Sequence, residues 1–436
     1  MRCRSIASFL IAAGLLAAAA AFQAEPANSP EETLPVLAQK ATFWKGNLHT
    51  HSLWSDGDDF PEMIADWYKR NGYHFLALSD HNILSQGQKW IDIKGKADRS
   101  AALKKYRQRF GAAWVETRTS GEKEQVRLKP LAEFRAVLDE PARFQLIQGE
   151  EITHRFAKAP VHMNAVNLRD LILPVNGASV AETIEVNYRA VLDQRKRLGM
   201  PMLAFLNHPN YGWAVRAEDL IAAEDLRFFE IFNGHPSVKN YGDKTHPGCE
   251  RLWDIVLAQR LGKLGLPVLY GLATDDAHAY HAFGPGKSNP GRGWIMVKSP
   301  FLSPEAIVKA MEAGNFYAST GVELADFASD GKQLKIDVVP VKGVDTTIQF
   351  VATMKDASFD SKPVLDDAGK PLDVTRQYSA DIGKVVSEVK GPSATYQFTG
   401  NELYVRARVV STKPTANPYE KGDVEMAWTQ PVQPAK

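Results

Sequence analysis

The chain reads as an α/β protein ending in a small antiparallel β-sandwich, and three observations predict this. Between Phe43 and about Val322, short apolar runs alternate with amphipathic helical stretches, the rhythm of α/β folds. Histidines and acids gather at the ends of those apolar runs, where strand C-termini of such folds converge. After about Glu323 the texture changes to alternating strands separated by Gly, Asp and Pro turns.

Residues 1–24 (MRCRSIASFLIAAGLLAAAAAFQA) place Arg2 and Arg4 before an apolar run and small residues, the layout of a secretory signal peptide. The run is short for a bilayer-spanning helix and no Cys follows it to accept a lipid. The expectation is an exported soluble protein, periplasmic or secreted, without stable membrane insertion. Residues 25–42, polar and Pro-rich, read as a tether.

Within 43–322 the strand candidates are FWKGNLHTH, HFLALSDH, FQLIQGEEI, VHMNAVNL, MLAFLNHP, FFEIFNG, VLYGLATDDAH and GWIMVK. Helix candidates cover 60–71, 179–198, 217–223, 249–263 and 303–314. Seven or eight such alternations suit a closed or distorted β/α barrel better than an open sheet. Residues 95–143 break the rhythm with a charged, helix-prone block, read as a solvated helical insertion or a lid. The region 323–436 supplies LKIDVVPVKG, TTIQFVATM, ATYQFTG and LYVRARVVS but no residue set for catalysis. It reads as a packing or attachment module whose partner the sequence does not name.

Lys and Arg number 52 against 51 Asp and Glu, a net charge of +1, so nothing points to nucleic acid or an anionic membrane. Only Cys3 and Cys249 occur, and Cys3 belongs to the expected signal peptide. No intrachain disulfide is then possible after processing, and any metal must be held by nitrogen and oxygen donors.

Those donors lie in order. His49 and His51 alternate along one strand, so both side chains leave on one side and can share an ion. Asp56 follows in an SDG turn, and Asp80 with His81 closes the next strand. Glu150 and Glu151 end FQLIQGEEI, His162 opens VHMNAVNL, His208 ends LAFLNHP, and Asp276 with His278 ends YGLATDDAH. Buried uncompensated charges at so many strand ends would be costly unless cations neutralise them. Two adjacent cations would lower the pKa of a shared water and polarise the bond it attacks. No GxSxG elbow offers a serine nucleophile instead.

The ordered series HTHSLWSDG, SDH, GEEIT, a strand-opening His, NHP and DDAH resembles the PHP superfamily, named for polymerase and histidinol phosphatase domains, over residues 43–322. The leader, the FWKGNLHTHSLWSDG opening and the β-rich tail ending in AWTQPV resemble its exported branch containing carbaryl hydrolases (CehA/McbA-like). This resemblance implies a distorted (β/α)7 barrel with two or three divalent ions, whether zinc, manganese or iron. It implies one ion on His49, His51, Glu151 and Asp276, with Glu151 bridging to a second on His162 and His208, and a third on Asp56, His81 and His278. Glu151 is preferred to Glu150 because the family's acid stands two residues after the glycine, here Gly149.

Glu151, Asp276 and His235 are the candidate catalytic residues, His235 as donor to substrate or leaving group. Arg292 and His281, in the loop after the last motif, are candidate substrate contacts. Asp80 could orient a ligand or cap a turn, Asp275 could support the site, and Trp54 could meet substrate. His74, His154 and His246 read as structural. The expected activity is hydrolysis of a small-molecule phosphate ester by metal-activated hydroxide. A carbamate, amide or ester carbonyl is the alternative at the same ions, and a metal-stabilised exported binding protein the alternative of another class.

Overall fold

The computed structural model describes residues 41–95 and 97–435, so the expected signal peptide and most of the tether lie outside the described residues. Strand β1 (Thr42–Asn47) is followed by helix α1 (Pro61–Arg70) and β2 (Phe75–Leu78). Pro61 suits the first turn of α1, where its missing N–H has no helical partner to lose, and Lys69 and Arg70 suit the negative end of the helix dipole.

The inserted stretch then holds β3 (Lys89–Asp92), α2 (Ser100–Phe110), β4 (Thr117–Ser120), β5 (Lys123–Leu128) and α3 (Leu131–Leu138). Two helices form within residues 95–143, and the block also holds β4 and β5, which pair with β3 just ahead of it in an antiparallel sheet of their own. Alternate residues Val126 and Leu128 of β5 bury against Trp54, Phe60 and Tyr106, a period of two that the surrounding charged residues mask.

Next come β6 (Gln145–Phe156), β7 (Ala159–Val166), α4 (Val180–Leu198), β8 (Leu203–Leu206), α5 (Ala217–Ala222), β9 (Phe228–Asn233) and α6 (Cys249–Gln259). β10 (Tyr270–Thr274), β11 (Trp294–Ser299), α7 (Pro304–Glu312) and β12 (Phe316–Ser319) complete this part. The C-terminal region adds β13 (Leu324–Ser329), β14 (Gln333–Val338), β15 (Thr346–Met354), β16 (Ser361–Lys362) and β17 (Gln377–Tyr378). It ends with β18 (Lys384–Lys390), β19 (Ser393–Gln397), β20 (Glu402–Pro414) and β21 (Val424–Thr429).

Thirteen strands share one sheet, in the order β10-β9-β8-β7-β6-β2-β1-β11-β12-β21-β20-β15-β18. β1, β2 and β6 run parallel, as do β8, β9 and β10, while β7 is antiparallel to both neighbours. Among the described residues no ladder closes the first seven strands into the expected barrel. β10 meets the continuation of β1 only at the isolated bridge between Thr50 and Ala277. There His51 N donates to Ala277 O at 2.9 Å and Asp276 N donates to His49 O at 3.0 Å. The hydrogen bonds at that one point carry the functional consequence, since they join the two segments richest in histidine and acid.

The strands bury both faces, as parallel strands do. Along β8, Leu203 and Phe205 enter one cluster with Phe75, Ile147 and Leu272, while Ala204 and Leu206 enter another with Ile184, Val191 and Trp253 of α4 and α6. In the tail, β13, β14 and β19 form a second antiparallel layer whose Leu334 and Ile336 pack with Ile348, Phe350 and Val405 of the main sheet.

The tail joins the main sheet directly. β21, carrying the AWT of AWTQPV, pairs antiparallel with β12. Just beyond it the Gln430 carboxamide donates to Gly271 O at 2.8 Å and accepts from Gly271 N at 2.9 Å. One side chain thus satisfies backbone groups on the free edge of β10, as a neighbouring strand would. Among the described residues no helix is long and apolar enough to cross a membrane.

Candidate metal centre

The site assembles at the C-terminal ends of β1, β2, β8 and β10, with Glu151 from the middle of β6 and His162 entering from β7. Asp56 arrives on a tight turn, where a Cβ on Gly57 would lie 2.4 Å from His51 O, so the SDG motif tolerates only glycine there. Asp80 secures that turn by accepting from Ser52 N, Ser52 Oγ, Ser55 N and Ser55 Oγ at 2.6–3.0 Å. It caps the loop rather than orienting the His81 ring.

The structure brings all nine expected ligands together. Glu151 lies at the centre: its Oε2 is 2.9 Å from His81 Nδ1, 3.2 Å from His51 Nε2 and 3.5 Å from His49 Nε2. Its Oε1 is 2.9 Å from His162 Nδ1 and 3.6 Å from His208 Nε2. Asp276 Oδ1 lies 3.2 Å from both His49 Nε2 and His51 Nε2, and its Oδ2 lies 3.9 Å from His208 Nε2. Asp56 faces His278 Nε2 at 3.4 Å and His81 Nε2 at 3.5 Å.

Four overlapping groups have donor atoms all within 4.8 Å of one another: His51, Asp56, His81 and His278; His49, His208 and Asp276; His49, His51 and Glu151; Glu151, His162 and His208. His51 thus stands beside the Asp56 group as well as its own, and His208 reaches Asp276. Glu150 is absent from the cluster. The strand's alternation turns it to the opposite face, where it accepts from Ile172 N at 3.0 Å and burial pushes its carboxyl up to about 8.

Two features show that the donor set fits divalent cations. His49 Nε2, both ring nitrogens of His51 and Glu151 Oε2 are buried with no hydrogen-bond partner, a costly arrangement unless something else occupies those lone pairs. The imidazoles also crowd each other, the His51 ring centroid lying 4.0 Å from that of His278 and 4.4 Å from that of His81. With only imidazole and carboxylate donors, zinc, manganese and iron are all suited.

Without cations the carboxylates hold protons on His49 and His81. Burial alone would lower His49, but Asp276, Glu230 and Glu151 outweigh it and raise it well above the ordinary imidazole value. His81, opposed by burial but drawn by Glu151 and Asp56, is pushed up to about 10. Burial opposes ionisation of Glu151 and Asp276 as well, yet the surrounding histidines hold both carboxyls well below their usual range. A cation entering the site must displace these protons.

Two ligands sit on strained backbone: His208 at φ 22° and Asp276 at φ 49°, in the region that disfavours side chains bearing a Cβ. Glu230, which sequence reasoning missed, restrains the first of these. Its Oε1 lies 2.7 Å from His49 Nδ1 and accepts from Thr274 Oγ1 at 2.7 Å. Its Oε2 accepts from His208 N at 2.7 Å and Asn233 Nδ2 at 2.8 Å. The available signal was a lone acid inside the apolar run FFEIF. Asn207 supports Glu151 Oε1 at 2.9 Å, and Asn233 also reaches Asp276 Oδ2 at 3.2 Å.

His235 borders the cluster, its ring centroid 5.5 Å from that of His278. Its Nδ1 accepts from Ser237 N at 3.1 Å, and burial lowers the imidazole to about 4, so it is neutral with its proton on Nε2. It can donate a hydrogen bond but is no reservoir of acid near neutral pH.

Arg292 requires a correction. Instead of presenting a fork to substrate, it is 3% exposed and donates to the carbonyls of Gly234 and Lys287 through Nη1 and of Gly284 through Nη2. A loop rich in Gly and Pro has few side chains to pack, and the guanidinium takes over that task. Asp275 anchors the same loop, accepting from the backbone of Gly291, Arg292 and Gly293 and from Tyr68 Oη. His281 is engaged by Lys105 of α2 and the Asp58 carbonyl, and Trp54 is buried with Nε1 donating to Lys129 O.

No family model matches the chain, and no curated protein matches it. Among solved structures it is similar to a two-domain protein from Bacteroides vulgatus containing a predicted PHP-like metal-dependent phosphoesterase. The identity is 14%, 90% of this chain and 96% of that chain are covered, and the TM-score is 0.36. A provisionally assigned metal-dependent phosphoesterase from Bifidobacterium adolescentis is 14% identical, with 63% and 96% covered and a TM-score of 0.29. An amidohydrolase from Chromobacterium violaceum, solved with sulfate and no metal, is 13% identical, with 54% and 88% covered and a TM-score of 0.26. All three scores lie below 0.5, so the functional reading rests on the site's own geometry.

Proposed function

We propose that the protein is an exported metal-dependent hydrolase that cleaves a phosphate ester. The observation that supports it is the convergence of nine imidazole and carboxylate side chains around buried donor atoms that no protein group satisfies. His49, His51, Glu151 and Asp276 would hold one ion, with His208 also in reach of Asp276. Glu151 would share a second ion with His162 and His208, and Asp56, His81 and His278 a third, with His51 alongside. Bound there, divalent ions supply Lewis acidity and an activated water at neutral pH.

The chain's own residues do the positioning. Glu230 holds the Nδ1 side of His49 so that the Nε2 lone pair faces the cluster. Asn207 and Asn233 fix the carboxylates of Glu151 and Asp276, and neutral His235 would offer an N–H to the group under attack. The motif series resembling the polymerase and histidinol phosphatase proteins supports phosphate as the reacting centre.

A carbamate, amide or carboxylic ester is the second reading, and one observation favours it. Among the described residues no Lys or Arg forms an ion pair with any of the nine, and the Arg292 guanidinium is taken up by backbone carbonyls rather than left for a phosphate dianion.

Purified protein assayed on nitrophenyl phosphate, bis-nitrophenyl phosphate and naphthyl methylcarbamate, with and without chelator, tests both. Chelator-sensitive turnover of a phosphate ester is expected. Turnover of the carbamate alone selects the second reading, and none with metals loaded leaves an exported binding protein. Export itself is tested by N-terminal sequencing of the periplasmic or secreted protein, where cleavage near Ala21 or Ala24 is expected.

A further inference from the structure

The segment after His208 is built more firmly than a surface loop requires. Tyr211 N donates to His208 O at 2.9 Å, and Gly212 and Trp213 follow at φ 60° and 56°, so a tryptophan occupies backbone that favours glycine. Asn210 Nδ2 donates to the carbonyls of Lys239 and Pro247, each at 2.9 Å, and the Trp213 ring stacks on His246 at 4.0 Å. Strain held by such fastening marks segments that aim a side chain, and the side chain aimed here is Tyr211.

Its ring centroid lies 5.1 Å from that of His208, 6.1 Å from His162 and 6.4 Å from His235. The ring therefore sits between two members of the Glu151 group and the bordering His235. Its hydroxyl makes no hydrogen bond to the described residues, and neither does His235 Nε2, whose proton is fixed there because Nδ1 accepts from Ser237 N. The Tyr211 ring and His235 thus border one side of the cluster, each with a donor that has no partner among the described residues, while the Arg292 guanidinium is engaged by backbone carbonyls.

We propose that Tyr211 and His235 form a two-donor clamp for the anionic oxygen of the bound group, with Tyr211 a substrate-contacting residue. The inference rests on the hydrolase reading for its substrate, but not for its geometry. The clamp would set hydrogen-bond donors toward charge that the reaction develops. It leaves the metal ligands untouched.

The test uses Tyr211→Phe, which keeps the ring, alongside His235→Ala and His235→Gln. Isothermal titration of the metal-loaded protein with inorganic phosphate should show affinity about tenfold weaker in Tyr211→Phe, with metal content and melting temperature unchanged. Turnover of the best ester should fall on the order of 10²-fold in kcat, with a smaller change in KM, and His235→Gln should recover part of what His235→Ala loses. Unchanged phosphate affinity and kcat in Tyr211→Phe would overturn the clamp, as would wild-type protein that binds no phosphate. Phosphate binding weakened by the substitution, in a protein that turns over no ester, would uphold the clamp and overturn the hydrolase reading instead.

Discussion

Two buried clusters of charge in this molecule solve the same problem in opposite ways. Where the tail meets α6, Asp254 accepts from Arg406 Nε at 2.9 Å, Arg406 Nη2 at 2.7 Å and Tyr404 Oη at 2.7 Å, while Glu250 accepts from Arg406 and Arg408. Opposite charges there meet inside the protein, with only Arg406 Nη1 left without a partner. At the pole of the main sheet, six histidines crowd Glu151, Asp276 and Asp56, and four donor atoms at the centre stay unpartnered. A cluster that closes on itself is architecture, and one that leaves its lone pairs converging has the geometry of a binding site. The molecule tolerates the second because neighbours such as Glu230 restrain it and because cations can complete it.

The sharpest break in that comparison comes from the open cluster. Asp276→Ala should reduce turnover on the order of 10³-fold or more and lower bound metal, while leaving the melting temperature of the ion-free protein nearly unchanged. In the closed cluster the outcome reverses. Asp254→Ala leaves Arg406 buried without its main partner and should cost about 3–5 kcal/mol in denaturant unfolding, with metal stoichiometry of the folded fraction retained.

Between these extremes, Glu230→Gln should weaken metal affinity about 10–100-fold, because His49 and His208 lose the group that orients them. Competition against a chelating dye would measure it. Acid should act in the same direction. In the ion-free site His49 and His81 are protonated above the ordinary imidazole range, so binding releases protons and affinity falls by about tenfold per pH unit for each proton displaced. The same dye titration at several pH values checks the sign, and an affinity that does not change with pH would show that the ligands bind without losing protons. His74→Ala should be smallest: its Nδ1 only accepts from Lys45 N at 3.0 Å, and a loss within about 1 kcal/mol with activity intact is expected.

The legible part of the site was its chemistry. His49, His51, Asp56, His81, Glu151, His162, His208, Asp276 and His278 declare themselves because ionisable residues at the ends of apolar strands have few other uses. Glu230 stayed hidden since a buried acid inside a strand looks the same whether it supports a ligand or merely pairs with a neighbour. Arg292 misled because the same guanidinium geometry suits a carboxylate, a phosphate or a ring of backbone carbonyls. In the fold, the α/β rhythm and the antiparallel tail were readable from apolar spacing. The edges were not: neither the single bridge at Thr50 nor the pairing of β21 with β12 leaves a local pattern, since both join residues far apart in the chain.

If the polar cluster exists to bind cations, metal stoichiometry will show it. Wild-type protein dialysed after exposure to zinc, manganese or iron should retain two or three equivalents per chain by elemental analysis, and Asp276→Ala should retain fewer. Wild-type protein that keeps no divalent ion under any of these conditions would contradict the account.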